Sequence, residues 1–147
     1  MGLYPLDGRV PSSLTAQDAA RWIYAANIEL IRSADYVVAN LDDFRGSGEP
    51  DCGTAFEVGF AVALGKPVWA YRSDNQTLIQ RVETASIVKD GTVCSRGFYV
   101  EDCLSVNLML ACSARIVVGG AIACLDVIRR DLDICANVLN GQGVGKA

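Results

Sequence analysis

Two β-rich runs bracket a helix-forming stretch near the middle of the chain, and that arrangement constrains the fold more than any other feature. DYVVANL (35–41) reads as a buried strand and PVWAYRS (67–73) as another, with Gly65 closing the helix between them. Strand, helix and strand in so short a span form a βαβ unit. The two strands must then run parallel, joined by a right-handed crossover.

The flanking sequence extends the same alternation. AQDAARWIYAANIELIRS (16–33) spaces Ala19, Trp22, Ile23, Ala26, Ile28, Leu30 and Ile31 in a mostly helical pattern behind Thr15, a suitable N-cap. After the βαβ unit, CLSVNLMLACS (103–113) reads as a helix, ARIVVGG (114–120) as a third strand and AIACLDVIRRDLDICANVL (121–139) as a final amphipathic helix. Residues 83–102 fit no period and read as a loop over the site or an irregular edge. The expectation is one α/β domain over residues 1–147, doubly wound and Rossmann/flavodoxin-like, with helices on both faces of a mainly parallel sheet. Such sheets bind ligands beyond the carboxyl ends of their strands, where the strand order reverses. The loop after DYVVANL leaves the sheet at such an end, and Asn40 at the strand's end is a candidate pocket liner.

Composition narrows the chemistry. There is no histidine among the 147 residues, which removes the commonest general base and the commonest metal ligand. Catalysis must therefore fall to carboxylates, cysteines, lysines or tyrosines. The net charge of −4 and the scattered basic residues argue against nucleic acid as a partner. The six cysteines form no CxxC pair, so neither a disulfide framework nor a zinc site is expected, and no metal is expected in the site. No apolar run is long enough to span a membrane and no signal peptide is recognisable, so a cytoplasmic protein is expected.

The most distinctive stretch is FRGSGEPDCGTAFEVGFAVALGKPV (44–68). On local grounds TAFE is a capping box, with Thr54 as N-cap and Glu57 in the first turn reaching back to its N–H. A functional reading starts from the neighbours. Gly46, Gly48 and Gly53 allow close approach by a ligand, and Asp51 lies six residues before Glu57 on the way into the helix. Two carboxylates facing one crevice suit a nucleophile with an acid partner, and a carboxylate nucleophile suits displacement at an anomeric carbon.

The run VVANLDDFRGSGEPDCGTAFEVGFAVALGKPVWAY closely resembles the signature of the nucleoside 2-deoxyribosyltransferases. VNLML (106–110) resembles a later motif of that family, and YPLD (4–7) fits the segment before its second helix. The resemblance spans residue 4 to about residue 120. It implies that Glu57 attacks C1′ of a 2′-deoxynucleoside, that Asp51 binds the base and assists protonation of the leaving nitrogen, and that no cofactor takes part. It implies further that Asn107 reaches the sugar site from a neighbouring subunit of a homo-oligomer. Asn27 falls where some members carry an acidic residue near the substrate. Phe44 is placed to stack on a base, with Gly46 beside it, and Arg45 either touches substrate or, the preferred reading, ties the loop to a nearby acid.

Members of the family usually open with a strand and a glycine-containing loop similar to IYLAGP, whereas this chain opens at MGLYPLD. The expected sheet therefore lacks that strand, through truncation, supply by another subunit, or a change of activity. The leading expectation is transfer of 2-deoxyribose between free nucleobases through a deoxyribosyl ester on Glu57. The alternatives are an N-glycosidase releasing the base to water and a non-catalytic nucleoside-binding module.

Overall fold

The computed structural model describes residues 1–5, 8–45, 49–81, 85–87, 93–95, 98–100 and 103–141. Helix α1 (Ala16–Ser33) begins behind Thr15, whose hydroxyl accepts the Asp18 N–H at 3.2 Å. Strand β1 (Val37–Asn40), helix α2 (Cys52–Ala63) and strand β2 (Val68–Arg72) form the expected βαβ unit, and the two strands pair in parallel from Val37 opposite Val68 to Asn40 opposite Tyr71. Gly65 stops α2 with φ +71°, and the turn is closed by the Gly65 N–H on the Val62 carbonyl and the Lys66 N–H on Ala61. Leu78–Arg81 (α3) is a single turn.

Within 83–102, expected as a loop or an irregular edge, described residues form short strands. Strands β3 (Ala85–Ile87), β4 (Val93–Ser95) and β5 (Phe98–Tyr99) pair antiparallel in a small separate sheet. Two or three residues per strand are too few to show an alternating pattern, which is why the sequence looked structureless there. The helix expected over 103–113 is also shorter. Val106 is fully buried, and α4 (Leu108–Ser113) starts only after Asn107, which acts as its N-cap. Strand β6 (Arg115–Val118) and helix α5 (Ala121–Gly141) complete the order.

The main sheet runs β1-β2-β6, all parallel. Successive right-handed crossovers in one direction put their helices on one face, and α2 and α4 accordingly share a face with α1. Its core joins Ile31, Leu41, Val58, Ala61, Val106 and Leu110. Helix α5 covers the other face, where Cys124 and Ile128 pack on Trp69. The Trp69 indole donates to Asp131 at 2.9 Å, and Arg115 pairs with the same carboxylate at 2.6 Å. A parallel sheet flanked by helices on both faces, the expected Rossmann/flavodoxin-like architecture, is thus present. The strand order does not reverse among the described strands, and the outer edge of β1 has no partner strand among them. No described helix is long and apolar enough to cross a membrane.

Candidate active site

The entry to α2 differs from the expected capping box, and the difference frees Glu57. The helix begins at Cys52, so Asp51 is the N-cap, and its Oδ2 accepts the Thr54 N–H at 3.0 Å. Thr54 therefore lies inside the first turn and Glu57 in the second, too far along to reach a cap N–H. At Gly53 a side chain would push the Asp51 carboxylate off the Thr54 N–H. A Cβ at this position would stand 2.8 Å from Asp51 Oδ2, because the carboxylate folds over it.

Glu57 turns instead towards α1. Asn27 Nδ2 donates to Glu57 Oε1 at 3.2 Å, and the two helices are held in place partly by the Lys66 ammonium donating to the Ala34 carbonyl just past α1. Asn27 Oδ1 is buried with no partner among the described residues. The pair lies at a cavity of about 350 Å³ whose other walls are Tyr24, Ile28, Ile31, Gly53 and Phe56. Burial pushes the Glu57 carboxyl above its ordinary value of 4.5. The Asn27 hydrogen bond opposes that rise, and the negative charge of Asp51 adds a smaller push upward. A half-buried carboxylate in an apolar cavity, steadied by one donor and watched by a second carboxylate, is equipped to act as a nucleophile or a base.

The structure brings Glu57, Asn27 and Gly53 together, with Asp51 close enough to act on Glu57 electrostatically. The remaining candidates lie outside this cavity. Asn107 is exposed and its Oδ1 accepts the Met109 N–H at 3.0 Å, although α4 does pack on α2. Asn40 ends β1 and accepts the Asp42 N–H at 2.9 Å, forming a turn. Phe44 is 40% exposed, and its N–H closes the loop on the Glu49 carbonyl at 2.8 Å. Arg45, at φ +58°, lays its guanidinium 4.5 Å from the Phe44 ring centroid. The arginines that tie this loop to an acid are others, Arg72 and Arg81, both paired with Asp43. Gly46 lies outside the described residues.

Four wall residues were missed by the sequence reading. Tyr24, Ile28 and Ile31 share one helical stripe with Asn27, at spacings of three, four and seven, and that stripe was the available signal. The aromatic walls continue along α2, with Tyr24 and Phe56 rings 6.2 Å apart and Phe56 stacked on Phe60 at 6.4 Å.

Comparison with known proteins follows the same line. The family model for nucleoside 2-deoxyribosyltransferase matches residues 1–109. Among solved structures, a 2-desoxiribosyltransferase from Leishmania mexicana is similar at 30% sequence identity and a TM-score of 0.61, with 85% of this chain and 73% of that chain covered. A search of curated proteins returns no match. With the motif run intact, the parallel sheet in place and the family model matching most of this chain, the chain belongs to the nucleoside 2-deoxyribosyltransferase family.

Proposed function

We propose that the protein transfers 2-deoxyribose between nucleobases by double displacement on Glu57. The Glu57 carboxylate attacks C1′ of a 2′-deoxynucleoside. The C1′–N bond breaks with its electron pair leaving on the base, and Asp51 binds that base and assists protonation of its leaving nitrogen. A deoxyribosyl ester on Glu57 results, and an incoming base displaces it by the reverse steps. The chemistry needs only a carboxylate nucleophile and an acid, so no metal or organic cofactor enters the scheme.

The observation that carries this reading is the setting of Glu57, a carboxylate withdrawn from water among apolar walls with a single donor from Asn27. Withdrawal from water strips hydration from the nucleophile and strengthens its interaction with positive charge developing at C1′. A hydroxyl at C2′ would destabilise that charge and crowd the nucleophile, so ribonucleosides should react poorly. In this scheme Asn107 binds the sugar from a second subunit of a homo-oligomer, with Phe44 and Asn40 flanking the base-binding end of the loop.

The test is base exchange. Deoxyinosine and adenine incubated with the protein should give deoxyadenosine and hypoxanthine, and Glu57→Ala should abolish the exchange by at least about 10³-fold, the scale expected for losing a covalent nucleophile. Hypoxanthine and free deoxyribose without deoxyadenosine would replace transfer with hydrolysis. Binding of deoxynucleosides without turnover would make the chain a binding module.

A further inference from the structure

Two arginines are buried at the carboxyl end of the main sheet and share one carboxylate. Arg72, the last residue of β2, is 1% exposed, and Arg81, the last residue of α3, has a side chain 6% exposed. Arg81 Nη1 lies 2.9 Å and Arg72 Nη2 3.5 Å from Asp43 Oδ1. The neighbouring Asp42 is otherwise engaged, its Oδ1 accepting the Ser73 N–H at 2.7 Å. Each guanidinium also holds backbone, Arg72 donating to the Leu41 carbonyl and Arg81 to the Ser105 carbonyl. Buried cations require a counter-charge and filled hydrogen bonds. Asp43 provides the charge, and the two carbonyls are the ends of segments the sequence leaves far apart.

Those segments carry candidate substrate-binding residues. Asp43 is immediately followed by Phe44, and Ser105 lies two residues before Asn107. The β1–α2 loop, the end of β2, α3 and the lead-in to α4 therefore meet at one carboxylate. We propose that Asp43 is a positioning residue, a charged clamp that sets the Phe44 loop and the Asn107 segment relative to each other without touching substrate. The proposal rests on the transferase reading for its kinetic consequence and not for its structural one.

The kinetic signature separates the clamp from the chemistry. Glu57 is held by Asn27 of α1 and Asp51 by the Thr54 N–H of α2, neither of them part of the clamp, so loosening the clamp leaves the reacting groups in place. Asp43→Asn should raise the KM for deoxynucleoside about tenfold while kcat changes less than about threefold, a loss of binding rather than of transition-state stabilisation. Asp43→Glu, which retains the charge, should recover most of the loss.

Arg81→Met is the second variant, for the case in which Asp43→Asn does not fold. It leaves Arg72 and Asp43 as a balanced pair and removes the arginine that links Asp43 to the Ser105 carbonyl. Amide hydrogen exchange reads the clamp independently of activity. Asp43→Asn should accelerate exchange together at residues 41–45 and 103–108, Arg81→Met mainly at 103–108, and neither in α5. A kcat loss at unchanged KM, unchanged kinetics in a folded Asp43→Asn, or faster exchange confined to 41–45 would each overturn the clamp. If the wild-type protein shows no base exchange at all, the transferase reading fails, and the paired exchange result alone decides the clamp.

Discussion

At the scale of single residues, Glu57 is governed by three opposed influences, and each can be removed separately. Burial and Asp51 raise its pKa and Asn27 lowers it. A nucleophilic carboxylate works only when ionised, so activity is present above the folded pKa and lost as pH falls through it. The acidic limb of the kcat/KM profile should consequently lie above 4.5, the ordinary carboxyl value. Asn27→Leu removes the donor and should move that limb to higher pH. Asp51→Asn removes a negative charge and should move it lower, whatever it does to the height of the profile. Limbs that stay fixed in both variants would detach the profile from Glu57. The carboxylates themselves were legible in the sequence, because their motif is contiguous. Their electrostatic setting was not, since the partner that donates to Glu57 sits 30 residues away on another helix.

At the scale of elements, the start of α2 is the informative case. DCGT and TAFE each offer a chemically reasonable cap, and local pattern cannot choose between two overlapping starts. The structure takes Asp51, with Val58 and Ala61 fully buried on the helix face turned to the core. Asp51→Ala should then cost about 1 kcal/mol of stability, the usual worth of an N-cap. Thr54→Ala should cost less than about 0.5 kcal/mol, as a residue with no cap to lose. Urea midpoints of the two variants give the comparison, and the reverse order would restore the capping box. Asn is as good a cap as Asp, so Asp51→Asn tests chemistry while leaving the helix start intact. Elsewhere the local signals sufficed. Thr15 and Gly65 end their helices as their chemistry dictates, whereas α4 is cut short by Asn107 capping inside a run of mostly apolar residues that pattern alone reads through.

At the scale of the whole molecule, the described chain leaves Asn107 exposed and outside the Glu57 cavity, and β1 with an unpaired outer edge. Both features fit a site completed by a second subunit. If the assembly is a dimer, Glu57→Ala and Asn107→Ala, each inactive alone, should regain about a quarter of wild-type exchange when mixed and allowed to trade subunits, because half the dimers would then be mixed and each would hold one intact site. No recovery on mixing would place Asn107's contribution, if any, within its own subunit. The sequence by itself determined the βαβ unit, the parallel sheet with helices on both faces, and Glu57 with Asp51 at the strand's carboxyl end, because periodicity, turn chemistry and a contiguous motif all act over a few neighbouring residues. Only the tertiary structure decided that Asn27 meets Glu57, that aromatic side chains of α1 and α2 wall the cavity, and that Asp43 joins Arg72 and Arg81 across separations of 29 and 38 residues. Those contacts are set by how helices pack on the sheet, and that packing is a property of the whole chain rather than of any window along it.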